Sequence, residues 1–164
     1  MPDVYVGLGS NHEPGEHLRR AVARLAERVG TVACSGVYRG AAVGAPAPDY
    51  YNLAVRFATS LGGTALRSVL DELEDAAGRE RGQRTLVSLD LDLLLYGVRV
   101  DPVLGVPRGD VLRRAFVLAP LAELAPTARH PITGEALGAV WSALAVRRPA
   151  LVRVGTIDAP SRWD

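Results

Sequence analysis

The apolar positions of this chain recur with two different periods, which alternate along its first hundred residues. In "DVYVGLGS" they stand at every second position, as in a strand with one buried face. In "PGEHLRRAVARLAERVG" they recur at helical spacing, and Gly30 ends the pattern. Thr64 is the expected N-cap of a second helix. The sequence predicts strands at 3–10, 31–39, 52–60 and 88–97 and helices at 14–30, 64–78, 115–126 and 137–145.

The order strand, helix, strand, strand, helix, strand predicts an α+β fold, the ferredoxin-like βαββαβ sandwich. Its helices are expected to pack on one face of an antiparallel sheet and to leave the other face free for a site. Residues 98–107 look extended, and 149–158 look like an edge strand, so the C-terminal part adds helical and extended segments. No linker or repeat interrupts the pattern, and we expect a single domain over 1–164.

The strand in "SLDLDLLLYG" carries two carboxylates. Strand alternation places Asp90, Asp92 and Leu94 on one face. The other face should carry Leu89, Leu91, Leu93 and Leu95. Two carboxylates that are close together and partly buried repel each other, and a divalent cation would offset this repulsion. Magnesium is suited to the position because it takes few carboxylates and fills its coordination with phosphate oxygens and water. The alternative is a solvated sheet face.

An arginine-rich loop, "RERGQR", precedes this strand. Its side chains Arg79, Arg81 and Arg84 are donors of the shape that phosphates need, although a solvated loop is the alternative. Carboxylates, a hard cation and arginines together indicate phosphoryl transfer. A second loop, "GAAVGAPAPDYY", is rich in glycine and proline and too long for a tight hairpin, which suggests a binding role.

Composition excludes several classes of protein. All 19 cationic residues are arginine, so the lysine-dependent P-loop is ruled out. A net charge of +1 and few aromatics argue against a nucleic-acid partner, including a ferredoxin-like RNA-binding module. The chain has no long apolar run and no basic leader, and its one cysteine, Cys34, looks like a small sheet residue. We therefore expect a cytoplasmic protein without membrane contact, and a monomer.

Several segments, in order and at near-matching spacing, resemble the 6-hydroxymethyl-7,8-dihydropterin pyrophosphokinase family. They are "GLGSN", "VYRGAAVG", "PDYYNLAV", "ELEDAAGRER", "LDLDLLLYG" and "VPRGDVLRRAFVLAPLAELAP". The resemblance implies an enzyme of folate biosynthesis that moves the pyrophosphate of ATP onto a pterin alcohol, with two magnesium ions. The alternative is a catalytically weakened paralogue that binds a pterin or nucleotide as a sensor.

The resemblance also assigns roles to residues. It implies that Asp90 and Asp92 hold the magnesium ions, and that Gly9, Ser10 and Asn11 shape the strand end. The expected pterin-binding residues are Gly40, Ala41, Val43, Tyr50, Asn52 and Phe116. The expected ATP-binding residues are Glu74, Arg81, Arg84, Arg108 and Arg114, and the arginines expected to act on the phosphates in catalysis are Arg79, Arg81 and Arg84. Taken alone, Tyr50 could be a turn tyrosine and Asn52 a strand-start asparagine. Phe116 could be a core phenylalanine, and Glu74 a solvated helical carboxylate.

The chain departs from the family pattern just before the aspartate strand. The stretch "RGQRTLVS" is shorter than usual and lacks the second pterin-stacking aromatic, a tryptophan. Val87 stands where a phosphate-facing arginine is expected. Either Arg84 replaces that arginine, or it corresponds to the one before the missing tryptophan. Arg108 and Gly109 replace a histidine and a tyrosine.

Overall fold

The computed structural model describes residues 1–44, 46–147, 149–159 and 163. Six strands and four helices follow one another within this part of the chain. The strands are β1 (Asp3–Ser10), β2 (Ala33–Cys34), β3 (Gly36–Gly40), β4 (Tyr50–Ala58), β5 (Asp90–Tyr96) and β6 (Leu151–Thr156). The helices are α1 (Pro14–Val29), α2 (Gly63–Ala76), α3 (Ala115–Leu124) and α4 (Leu137–Ala145). The elements predicted at both ends of the chain are confirmed, including the late edge strand.

The strands form one antiparallel sheet in the order β5-β1-β4-β3-β6, with β2 paired to β4 beside that path. The apolar stripes of α1 and α2 pack on one face, where Leu18, Leu25 and Leu66 meet Val4 and Val6 of β1. Burial of these side chains is the main stabilising contribution of this layer. The ferredoxin-like α+β fold is thus confirmed.

The second face of the sheet is not free, which corrects the expectation that helices cover one face only. The helices α3 and α4 lie on it and bury a second core that includes Ala54, Leu94, Leu118 and Leu137. The helix α3 carries apolar residues on nearly all sides because it contacts both the sheet and α4. The site is therefore confined to the part of this face beside the first turn of α3.

Several element boundaries differ from the prediction by one or more residues, as in β4, which covers 50–58 and not 52–60. Two further differences concern β2–β3 and the start of α2. The strand expected at 31–39 is divided at Ser35, whose hydroxyl accepts the N–H of Ala54 at 2.9 Å and competes with regular pairing. Thr64 is not the N-cap of α2. The helix begins at Gly63, the extended residue before it is Gly62, and no side chain caps it.

The segment 98–107 is a turn and not an extended strand. The carboxylate of Asp101 accepts the N–H groups of Val103 and Leu104, both at 3.0 Å, and closes the turn. Asp101 then pairs with Val106 as an isolated bridge. The turn returns the chain to the start of α3.

A bulge in β5 changes the predicted alternation of its leucines. Tyr5 pairs with Leu95 and Val6 with Leu93, so Leu94 is an extra residue. As a result Leu94 and Leu95 both pack into the core under α3, and the prediction that Leu95 faces the other layer is wrong. Before the bulge, the prediction is confirmed, because Leu91 and Leu93 belong to the core under α1 and α2.

In the part of the chain that the structure describes, no helix is long and apolar enough to cross a membrane. Cys34 is half-buried in β2, and burial raises the pKa of its thiol to about 11.

Candidate functional site

The site is built around the pairing of β1 with β5. Gly7 lies opposite Asp92 and Gly9 lies opposite Asp90, so the two aspartates share a sheet face with two residues that have no side chain. A recess of about 30 Å³ results, and Gly7, Gly9, Asp90 and Asp92 are among its lining residues. The alternate glycines in "GLGS" are the sequence signal for this recess. The sequence predicted that Gly9 shapes the strand end, but it did not predict the recess.

A larger cavity of about 210 Å³ adjoins this recess, and Asn52, Asp90 and Phe116 line both. Its lining consists of Gly40, Ala41, Val43, Tyr50, Asn52, Asp90 and Phe116. All the residues predicted to contact a pterin therefore lie around one cavity, together with one of the predicted metal ligands. Phe116 is only partly buried, so its ring is not a closed core position.

The negative charges of the two aspartates repel each other. Burial, and next the nearby charge of Asp90, raise the pKa of Asp92 to about 7, while Arg108 opposes this rise. Burial and Asp90 also raise the pKa of Tyr50. The pair is therefore costly as two negative charges, and a cation between the carboxylates would remove that cost.

Arg108 and Asp110 complete the charges beside Asp92. Arg108 contacts the Asp92 carboxylate through Nη1 at 2.9 Å and that of Asp110 through Nε at 3.1 Å. Asp110 was not predicted, although its position two residues after an arginine is the signal that could have found it. Arg108 is thus held at the Asp92 side of the site.

Glu74 and Arg79 fix the outer edge of β5. Glu74 is buried, and its carboxylate accepts the N–H of Leu91, between the two aspartates, at 2.6 Å. Arg79 donates through Nη1 to the carbonyl of Leu89 at 2.8 Å and contacts Asp90 at 3.1 Å. Burial raises the pKa of Glu74, and the Leu91 hydrogen bond opposes this. The alternative of a solvated helical carboxylate is therefore wrong for Glu74.

The remaining predicted arginines lie on the surface near the site. Arg81 is exposed and contacts Glu74 at 3.3 Å and Asp75 at 3.1 Å. Arg84 and Arg114 are exposed as well, and within the described residues neither side chain has a hydrogen bond or an ion pair. None of the predicted ATP-binding residues belongs to the described lining of the 210 Å³ cavity.

Asn11 anchors the arginine loop to the end of β1. Its side-chain oxygen accepts the N–H of Val87 at 2.6 Å, and its amide donates to the carbonyls of Thr85 at 2.8 Å and Pro48 at 3.4 Å. Val87 itself is buried, so the position where an arginine was expected points away from solvent. The prediction that Asn11 shapes the strand end is confirmed.

The residues present fit a magnesium site better than a zinc site. Within the described part of the chain, no three His, Cys, Asp or Glu side chains form a group that could hold a metal by themselves. Two carboxylates with oxygen donors alone suit a hard ion that completes its coordination with phosphate and water. A carboxylate pair, flanking arginines and an adjoining cavity supply the charge neutralisation and the space that phosphoryl transfer needs.

Comparison with known proteins identifies the family. The family described as 7,8-dihydro-6-hydroxymethylpterin-pyrophosphokinase (HPPK) matches residues 5–126. The chain belongs to this family. It is 40% identical over 141 residues to the 2-amino-4-hydroxy-6-hydroxymethyldihydropteridine pyrophosphokinase of Synechocystis sp., covering 80% of this chain and 71% of that protein. It is 41% identical over 139 residues to the enzyme of the same name from Pseudomonas aeruginosa, covering 78% and 83%.

The fold is also similar to solved structures. A crystal structure of Plasmodium falciparum HPPK-DHPS matches with a TM-score of 0.69 at 10% identity, over 88% of this chain. This chain spans only 44% of the Plasmodium chain, and the wild-type protein with pteroate gives a TM-score of 0.67 over the same shares. At this identity the likeness supports the fold alone.

Proposed function

We propose that this chain transfers the pyrophosphate group of ATP to the hydroxymethyl group of 6-hydroxymethyl-7,8-dihydropterin, a reaction of folate biosynthesis. One observation carries the proposal. In a member of the HPPK family, the carboxylates of Asp90 and Asp92 share a sheet face at the edge of a cavity that Asn52 and Phe116 line. The enzyme is an ATP-dependent diphosphotransferase, and ATP is its substrate.

The cavity supplies the groups that a flat, polar heterocycle needs. The ring of Phe116 can stack on one face of the pterin, and the Asn52 amide can donate to and accept from its edge. Tyr50 and the Gly40–Val43 segment close the cavity with a ring and with main-chain groups. A second stacking aromatic is missing from the 79–90 segment, so we expect Phe116 to supply the ring contact alone.

The nucleotide and its metal belong beside β5. We propose that Asp90 and Asp92 hold two magnesium ions. The positive charge of the ions would offset the repulsion between the two carboxylates, which contributes to the raised pKa of Asp92. When bound, magnesium neutralises phosphate charge and makes the pterin hydroxyl easier to deprotonate. Arg79 orients Asp90, and Glu74 fixes the strand between the aspartates.

In the reaction, the pterin hydroxymethyl oxygen forms a bond to the β-phosphorus of ATP. The bond from that phosphorus to the oxygen shared with the α-phosphate breaks, AMP leaves, and the hydroxyl proton passes to solvent. Arg84, which has no partner within the described residues, is free to bind phosphate, and the exposed Arg81 and Arg114 are the further candidates for phosphate contacts. Arg108 is held by Asp92 and Asp110, and we expect it to contact the nucleotide less than Arg84 does.

We further propose that the chain acts as a single-domain monomer in the cytoplasm. The single cysteine, Cys34, cannot form a disulfide within the chain, which agrees with a reducing compartment.

The test combines binding with a product assay. Titration with ATP, magnesium and the pterin should show binding of both substrates, and incubation should release AMP. Asp90→Asn and Asp92→Asn should each abolish most turnover and the magnesium dependence of ATP binding. Asp92→Asn should not destabilise the fold, because the neutral amide removes a buried charge repulsion.

The matched control is Asp3→Asn, which changes an exposed aspartate at the start of β1 in the same sheet. It should keep full activity. Binding of both substrates without AMP release would favour the sensor, and full activity of both β5 variants at unchanged magnesium dependence would overturn the metal assignment.

A further inference from the structure

A second charged cluster lies at the C-terminal end of α3, opposite the first turn that faces the cavity. The carboxylate of Glu123, near the end of α3, accepts four hydrogen bonds from three residues. Gly36 donates its main-chain N–H at 3.0 Å, Tyr38 its hydroxyl at 2.5 Å, and Arg153 its Nε and Nη2 at 3.0 and 2.9 Å. We name the side chains of Glu123, Tyr38 and Arg153 the α3 clamp.

The clamp joins three elements that are distant in the chain. Glu123 belongs to α3, Tyr38 to β3 and Arg153 to β6. Arg153 also lies beyond residue 126, where the match to the HPPK family ends. In addition to the main-chain pairing of β6 with β3, Arg153 gives β6 a side-chain contact with α3 that lies outside the family match.

Arg153 lies close to β3, although the side chains of Arg153 and Glu123 are 46% and 32% exposed. A Cβ atom added to Gly36 would lie 2.5 Å from Nε of Arg153, so the guanidinium lies directly against the main chain of β3. A planar guanidinium with two parallel hydrogen bonds to one carboxylate fixes both distance and direction. The Arg153 hydrogen bonds, more than any other contact, hold the pKa of Glu123 at about 2, so the carboxylate is charged at neutral pH.

The elements that the clamp joins end at the substrate cavity. The strand β3 runs from Gly36 to Gly40, which lines the cavity, and α3 begins at Ala115 beside Phe116, which also lines it. Glu123 stands seven residues after Phe116, about 10 Å along a helix. The clamp therefore sets how the helix that carries Phe116 sits against the strand that carries the other wall.

We propose that Glu123, Tyr38 and Arg153 are positioning residues for the pterin site. They hold α3 and β3 at the separation that lets a flat ring enter between Phe116 and the Gly40–Val43 wall. The inference rests on the proposed function, and it assigns to β6 a part in substrate binding. A purely structural cluster would stabilise the fold without favouring one substrate.

The test is steady-state kinetics on Arg153→Met and Glu123→Gln, measured well below their melting temperatures. We expect KM for the pterin to rise about tenfold, since a small misplacement of a binding wall has large effects. KM for ATP and kcat at saturating pterin should be unchanged. Because the two side chains form one ion pair, the double variant should be no worse than either single variant. Arg153→Lys keeps the charge and should recover part of the loss.

The control is Arg28→Met, which removes an ion pair of similar length, 2.8 Å to Glu72, on the α1–α2 side of the molecule. Its pterin KM should equal that of the parent chain. If the clamp variants lower only the melting temperature, or change both KM values and kcat together, the positioning role is wrong. If the parent chain itself neither binds the pterin nor releases AMP, the proposed function fails. The KM for the pterin then cannot test the clamp.

Discussion

Gly9→Ala should weaken pterin binding while it leaves ATP binding and the fold intact. A Cβ atom at Gly9 would lie 2.8 Å from Oδ1 of Asn52. A carbon–oxygen contact needs about 3.3 Å, so the amide must move by roughly 0.5 Å or rotate away. Only the end of a side chain has to move, and the unfolding free energy should therefore change by less than about 1 kcal/mol.

The expected loss follows from the hydrogen bonds that the displaced amide can no longer make. Each contributes about 0.5–1.5 kcal/mol net, so losing two of them costs about 1–3 kcal/mol. That free energy corresponds to a weakening of the pterin Kd by roughly five- to a hundredfold. The ATP Kd should not change, because Asn52 lies in the cavity and not beside the loop arginines.

The assay is calorimetric titration of the pterin into the chain in the presence of magnesium and an ATP analogue that cannot be cleaved. Asn52→Ala sets the scale of the effect. Adding Gly9→Ala to Asn52→Ala should cause no further loss, because the side chain that the new methyl group displaces is gone. Unaltered pterin affinity in Gly9→Ala, or a full loss that persists without Asn52, would refute this reasoning.

Two other predictions concern the arginine loop. Asn11→Ala leaves the buried N–H of Val87 without its acceptor and should lower the unfolding free energy by about 2–3 kcal/mol; thermal denaturation measures this, and an unchanged melting temperature would show that the hydrogen bonds of Asn11 do not stabilise the loop. Arg84→Ala should lower turnover more than Arg108→Ala without changing the melting temperature, because Arg84 has no partner within the described residues and Arg108 is held by two carboxylates. A silent Arg84→Ala in steady-state kinetics would exclude it as a phosphate ligand.

The sequence predicted the elements because their apolar periods are strong and uninterrupted. It also predicted which face of β5 carries Asp90 and Asp92, since alternation holds up to Leu93. It could not predict the bulge, because an extra residue such as Leu94 has the same apolar character as its neighbours. For the same reason the covering of the second face by α3 and α4 was missed. An apolar sequence predicts that a helix is buried, but it does not predict which surface the helix packs against.

The cavity residues were found through motifs, and their surroundings were not. Glu74 has the sequence context of a solvated helical carboxylate, and its burial depends on the N–H of Leu91, which only the packing of α2 on β5 brings near. Glu123 and Arg153 are likewise ordinary surface charges in the sequence. Thirty positions separate them, and no local pattern reports such a contact.

The contacts along β5 have a consequence for self-association. The strand β5 is an edge strand of the sheet. Its free edge would offer main-chain groups for pairing with another extended chain. Three main-chain groups on or next to this edge are occupied. Arg79 donates to the carbonyl of Leu89, and the carboxylate of Glu74 accepts the N–H of Leu91. The main-chain N–H of Arg108 donates to the carbonyl of Leu94. The groups around the reaction centre thus also protect a leucine-rich edge, and variants that lose Glu74 or Arg79 should aggregate as well as lose activity.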